Sequence, residues 1–157
     1  MRLTTIATPA DSLLLRRESA PLSRREISSP EFGRLVASMV ETVADPEEGG
    51  VGIAAPQVGI LRRVVVVQRL DKAGEPFEVY VNPEIVAYGD EWALGSEGCL
   101  SVPDRRGEVQ RATHIELTYR DAVTFEPRSE VVEGFTAVIF QHEIDHLDGV
   151  LYIDRLQ

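Results

Sequence analysis

The stretch His142-Glu143-Ile144-Asp145-His146 constrains this chain more than any other. Two imidazoles four residues apart stand on one face of an α-helix, one turn above the other, where both can hold a single metal ion. Glu143 sits beside that face, placed to take a proton from a metal-bound water without being a ligand. The chain has only three histidines. Two of them at this spacing around a glutamate favour a metal site over histidines that merely pack or face solvent. The helix that carries them is expected to start after Gly134, to run through Leu147 and to stop at Gly149, a glycine in the usual C-terminal position.

The rest of the pattern predicts one α+β domain over residues 1–157. Ser29-Pro30-Glu31 combines a cap residue, a proline at the first helical position and an early acid. Phe32, Leu35, Val36, Met39, Val40 and Val43 then recur with a 3.6-residue period, which predicts a helix to about Ala44. Asp45 to Gly50 reads as a loop. The valines Val64 to Val67 predict a buried strand over 63–69. Asp71 to Gly74 is a turn, and Phe77 to Val81 is the partner strand, closed by Asn82-Pro83. Alternation of Ile115, Leu117 and Tyr119 with polar residues predicts a strand over 111–119, and another is expected over 129–132. No repeat and no linker divides the chain.

Composition excludes several classes. With 16 Lys+Arg against 26 Asp+Glu the formal charge is −10, which repels phosphate backbones and speaks against direct nucleic-acid binding. No apolar run exceeds four residues, far short of the roughly 20 that a membrane helix needs, so no membrane contact is expected. The paired arginines at 16–17, 24–25, 62–63 and 105–106 read mostly as solvated surface. Residues 1–25 are arginine-rich like a transit peptide, but they lack an apolar core, and Pro9, Asp11, Glu18 and Pro21 interrupt any amphipathic helix. A folded N-terminal arm is the expectation. The lone cysteine, Cys99, cannot form an internal disulfide, and a cytoplasmic setting is the default.

A catalytic site of this kind needs a third protein ligand and an open position for water. The long zincin pattern would place a further His at position 152, which is Tyr. A downstream carboxylate would have to be Asp148 or Asp154, and neither has a suitable helix. His114 lies on the polar side of its strand. Cys99 is the best remaining candidate, preceded by Gly98, which lets backbone approach metal or substrate. A third segment, Gly50 to Gln57, is rich in small residues and ends in one uncharged amide; it lacks the Lys-Ser/Thr ending of a phosphate loop.

Together, Gly50 to Gln57, Glu97-Gly98-Cys99-Leu100-Ser101 and His142 to His146, preceded by Gln141, resemble the three motifs of the peptide deformylase family in order and spacing. The resemblance runs from about Ile6 to the C-terminus. It implies a compact single domain of antiparallel strands packed around the C-terminal metal-binding helix, and hydrolysis of the N-formyl group from the initiator methionine of nascent chains. It further implies Cys99, His142 and His146 as metal ligands and Glu143 as general base and acid. Gln57 and the backbone N–H of Leu100 would stabilise the charge that develops on the formyl oxygen as metal-activated water attacks. Family members bind the peptide as an added strand, here along Val51, Gly52 and Gly98. The methionine pocket matches Phe135, Val138, Ile139 and His142, for which core packing is an equal explanation. Arg106 is the candidate for the far end of the peptide, with a solvated surface charge as an equal explanation.

Two imidazoles and a thiolate suit Zn²⁺ and also accept Fe²⁺, Ni²⁺ or Co²⁺, and the resemblance implies Fe²⁺ in the cell. The implied partners are formylmethionyl peptides of nascent chains, with transient proximity to the ribosome, and the implied setting is a bacterial cytoplasm. The chain stops soon after Leu156, where many bacterial relatives continue into a longer helix, so contacts through such a helix are left open. The loop from Ala44 to Gly50 is short, as in compact members of the family. Two other classes stay open at this point: a metallopeptidase acting on unformylated peptides, and a binding module with a purely structural metal.

Overall fold

In the computed structural model, which describes residues 2–157, the four valines Val64 to Val67 are all fully buried. A strand achieves this only when both of its faces are covered. Strand β2 (Val64–Gln68) lies inside a five-stranded antiparallel sheet of order β1-β2-β3-β6-β7, with β1 Gly52–Ala54, β3 Phe77–Tyr88, β6 His114–Arg120 and β7 Pro127–Glu133. Val65 and Val67 pack with Phe140, Ile144 and Leu147 of helix α4 (Gly134–Leu147). Val64 and Val66 face the other way, against Phe32, Leu35, Met39 and Val43 of helix α3 (Pro30–Ala44). Each fully buried valine contributes about 1.5–3 kcal/mol of hydrophobic stabilisation. One helix on each face of the sheet gives the α+β single domain that the pattern predicts.

The start of α3 and the end of α4 follow from their sequences. Ser29 Oγ accepts from the Phe32 N–H at 3.3 Å and Pro30 opens α3. Beyond α4, Gly149 adopts φ +74°, and a Cβ there would stand 2.3 Å from the Arg16 carbonyl oxygen, so only glycine fits. Gln141 anchors α4 laterally: its Oε1 accepts from the Ala112 N–H at 3.1 Å and its Nε2 donates to the Ala112 carbonyl at 2.8 Å.

Several expectations are corrected. The N-terminal arm contains helix α1 (Pro9–Leu15), where Pro9 opens the helix and Thr8 caps it, and a short helix α2 (Arg24–Ile27). Proline at the first helical position has no N–H to lose, so it starts a helix that it would break further in. Asn82-Pro83 does not close the hairpin. Strand β3 continues to Tyr88 through a register shift between Val81 and Glu84, and Asn82, at φ +50°, exchanges two 2.8 Å bonds with the backbone of Leu22. A bulge is where a strand tolerates proline. The strand expected over 111–119 is two strands, since β5 (Val102–Ala112) ends and β6 begins on either side of Thr113. Arg63 is not solvated surface, because it donates to the Leu147 carbonyl at 3.1 Å and pairs with Asp148 at 3.0 Å.

A second sheet was not expected. Strand β4 (Trp92–Cys99) pairs with β5 as a two-stranded antiparallel ribbon, with Cys99 opposite Val102 across a tight turn at Leu100-Ser101. The ribbon delivers Cys99 to α4.

Candidate functional site

Helix α4 is buried along nearly its whole length, including His142, Glu143 and His146. Against it stand the end of β4, which carries Glu97 and Cys99, and the turn Ala55–Val58 after β1, which carries Gln57. The donor atoms of Cys99, His142 and His146 all lie within 4.8 Å of one another, with Cys99 Sγ 3.3 Å from His146 Nε2. Of the other candidates for a third ligand, His114 pairs with Glu133 at 2.8 Å, Asp148 with Arg63 and Asp154 with Arg16. Tyr152, at the position where a long zincin pattern would carry histidine, stacks on His142 at 6.0 Å between ring centroids.

The donor set fits a divalent metal. A thiol with two imidazoles is the chemistry that Zn²⁺, Fe²⁺, Co²⁺ and Ni²⁺ select, and three protein ligands leave a position for water. Glu143 Oε1 is buried without a hydrogen-bond partner among the described residues.

Glu97, which the sequence pattern alone does not single out, bonds to the donor cluster from behind His142. Its Oε1 lies 2.9 Å from His142 Nδ1, and Arg111 forks onto both carboxylate oxygens at 2.9 and 3.0 Å. A carboxylate on Nδ1 fixes the tautomer that leaves Nε2 free to act as a ligand. The only signal in the sequence was an acid two residues before Cys99, since its partners come from β5 and α4. Burial would raise Glu97, but the bonds from His142 and Arg111 hold it down at about 2. Burial raises Glu143 to about 7 against the pull of His142. Burial alone would lower His142, yet Glu143, Cys99 and Glu97 outweigh it and hold that ring well above its ordinary value.

Gln57 is fixed at both ends. Its Oε1 accepts from the Ala54 N–H at 2.9 Å, while its Nε2 donates to Ser101 Oγ at 3.1 Å and passes 3.6 Å from Cys99 Sγ. The uncharged amide therefore aims a donor at the donor cluster without competing for a cation. Beside it opens a cleft of 810 Å³ lined by Val51, Gly52, Gln57, Gly98, Cys99, Leu100, Arg106, Phe135, Val138, Ile139, His142 and Glu143, among others. Every residue put forward for substrate contact borders this cleft. Ile139 also belongs to the core cluster, so pocket and core share it, whereas Phe135 stands half exposed at the mouth. Arg106 is held on the rim by Ser96, its Nε donating to Oγ at 3.3 Å.

An antiparallel α+β fold that brings a cysteine and a His-Glu-x-x-His helix to one open cleft defines a metal-dependent hydrolase. The family model for polypeptide deformylase matches residues 3–157, and the chain belongs to that family of enzymes. It is 40% identical over 151 residues to the peptide deformylase of Leptospira biflexa, covering 92% of this chain and 83% of that one. The crystal structure of a class I type b peptide deformylase from Acinetobacter baumannii superposes with a TM-score of 0.88 at 39% identity, over 99% of this chain and 98% of that one. The Acinetobacter enzyme has also been solved with Met-Ala-Ser bound. The Thermotoga maritima deformylase matches with a TM-score of 0.84 at 35% identity, over 99% of this chain and 97% of that one.

Proposed function

We propose that this enzyme hydrolyses the N-formyl group of formylmethionyl peptides, the deformylation of nascent chains that is the general function of its family, and releases formate. The observation that carries the reading is one cleft bordered by Cys99, His142, Glu143 and Gln57. Cys99, His142 and His146 hold one divalent cation, Fe²⁺ in the cell with Zn²⁺, Ni²⁺ or Co²⁺ as substitutes. Bound there, the cation supplies Lewis acidity that lowers the pKa of water and polarises a carbonyl oxygen.

Glu143 takes the proton of the attacking water and hands it to the departing amine. A carboxyl held at about 7 is matched to both halves of that task near neutral pH. Gln57 Nε2 and the Leu100 N–H donate to the oxygen on which negative charge develops. The peptide backbone adds along β1, an edge strand of the sheet, through Val51 and Gly52, with Gly98 on the opposite wall. Main-chain pairing tolerates any sequence. Selectivity comes from the pocket bordered by Phe135, Val138, Ile139 and His142, which takes the methionine side chain, while Arg106 meets the distal end. The Met-Ala-Ser complex of the Acinetobacter relative supports a peptide with methionine first. The natural substrates are nascent chains close to the ribosome in a bacterial cytoplasm.

Anaerobic assay of formate release from a short formyl-Met peptide tests the reading, with the unformylated peptide as control. Formate release without cleavage of the control is expected. Cleavage of the unformylated peptide would make this a peptidase, and a metal-filled protein that releases no formate would make the site structural.

A further inference from the structure

An unbroken line of ion pairs runs from the protein surface to His142. Arg155, in the turn that follows α4, forks onto Asp145, with Nε donating to Oδ2 at 2.7 Å and Nη2 to Oδ1 at 3.1 Å. Asp145 Oδ2 also accepts from Arg111 Nη1 at 2.7 Å. Arg111 closes the second fork on Glu97, and Glu97 meets His142 Nδ1. Forked guanidinium–carboxylate pairs fix orientation as well as distance. The side chains of Arg111 and Glu97 are only 5% and 6% exposed, so neither can trade its partner for bulk water. Only the Arg155 end is open, at 47%.

The charges alternate along this line, and Arg111 is shared between two carboxylates. Arg155 takes up part of the negative charge of Asp145. Without it Asp145 draws harder on Arg111, and the fork that steadies Glu97 loosens. The segment around Arg155 is held in place independently: Leu156 bridges to Val109 and the Gln157 N–H donates to the Glu108 carbonyl at 3.0 Å.

We infer that Arg155 is a positioning residue of the metal centre, setting the orientation of His142 through Asp145, Arg111 and Glu97. This rests on the proposed role of Cys99, His142 and His146 as metal ligands. The test loads the parent, Arg155→Gln, Arg155→Lys and Leu156→Ala with Co²⁺, and follows loss of the cobalt–thiolate absorption on transfer to a chelator, with thermal melts to verify folding. Partners that touch a ligating histidine are worth 10–100-fold in metal affinity; Arg155 stands three side chains beyond Glu97, the partner that touches His142, and cobalt loss about fivefold faster is expected for Arg155→Gln. Arg155→Lys keeps the charge without the fork and falls between. Leu156→Ala loosens the packing of the segment without changing charge and stays near the parent, whereas Glu97→Gln loses cobalt fastest and sets the scale. Parent-like behaviour of Arg155→Gln, or Leu156→Ala as fast as Arg155→Gln, would overturn the inference. A parent that takes up no cobalt would overturn the metal-ligand reading and this inference with it.

Discussion

A Cβ on residue 52 would stand 2.8 Å from Glu143 Oε2 and 2.9 Å from Ile139 Cγ2, so Gly52 and Glu143 are fitted to each other across the β1–α4 interface. Gly52→Ala has to push the carboxylate or the β1 edge aside. Displacing a reacting group by about 1 Å can cost on the order of 10²-fold in rate. We expect a drop of about that size in kcat/KM with metal content unchanged, measured by steady-state kinetics beside metal analysis. Parent-like kinetics would mean that Glu143 has slack and that its position is not critical.

In the proposed reaction Gln57 offers a donor that matters most as charge develops. Loss of one such donor typically costs about 10²–10³ in kcat. Gln57→Ala is expected to lower kcat by that factor and to leave KM within a few-fold of the parent. A change confined to KM would assign Gln57 to substrate binding alone.

The Asp11 carboxylate accepts from Arg2 at 2.5 and 2.8 Å, and that bond is the largest cause holding it at about 2, against an ordinary value of about 4. A carboxylate depressed in the folded state contributes stability that is fully present above its unfolded value and is lost as pH falls toward the folded one. The parent should therefore melt higher than Asp11→Asn at pH 7, and the gap should shrink from about pH 4 downward. A gap that is constant with pH would show that the ion pair adds no linked stability.

Fold and site were legible in the sequence to different depths. Helix α3, the buried strand β2 and the metal helix follow from local pattern, because each carries its periodicity and its stop signals within its own residues. The β4–β5 ribbon does not. Trp92-Ala93-Leu94-Gly95-Ser96 is exposed throughout and offers no apolar alternation, so only its pairing with β5 makes it a strand. Cys99 could be picked out by elimination, but the bonding of Glu97 to Arg111 and His142 joins residues 14 and 45 positions apart and becomes visible only once ribbon and helix meet. Proline misled twice, at Pro9 and Pro83, because its effect depends on whether an N–H is needed at that position of the helix or strand.

A thiolate beside ferrous iron is open to oxidation. Protein prepared in air is expected to lose activity that anaerobic preparation preserves, and Zn²⁺- or Ni²⁺-loaded protein to keep it. Equal activity in both preparations would favour zinc as the resident metal.

The most direct test of the central claim is a metal titration of the chelator-stripped protein, following anaerobic formate release from a formyl-Met peptide by the parent and by Glu143→Ala. Formate release by the parent should rise to a plateau at one equivalent, while Glu143→Ala should bind the same equivalent and release almost none. Turnover by the stripped protein, or undiminished turnover by metal-loaded Glu143→Ala, would contradict the account.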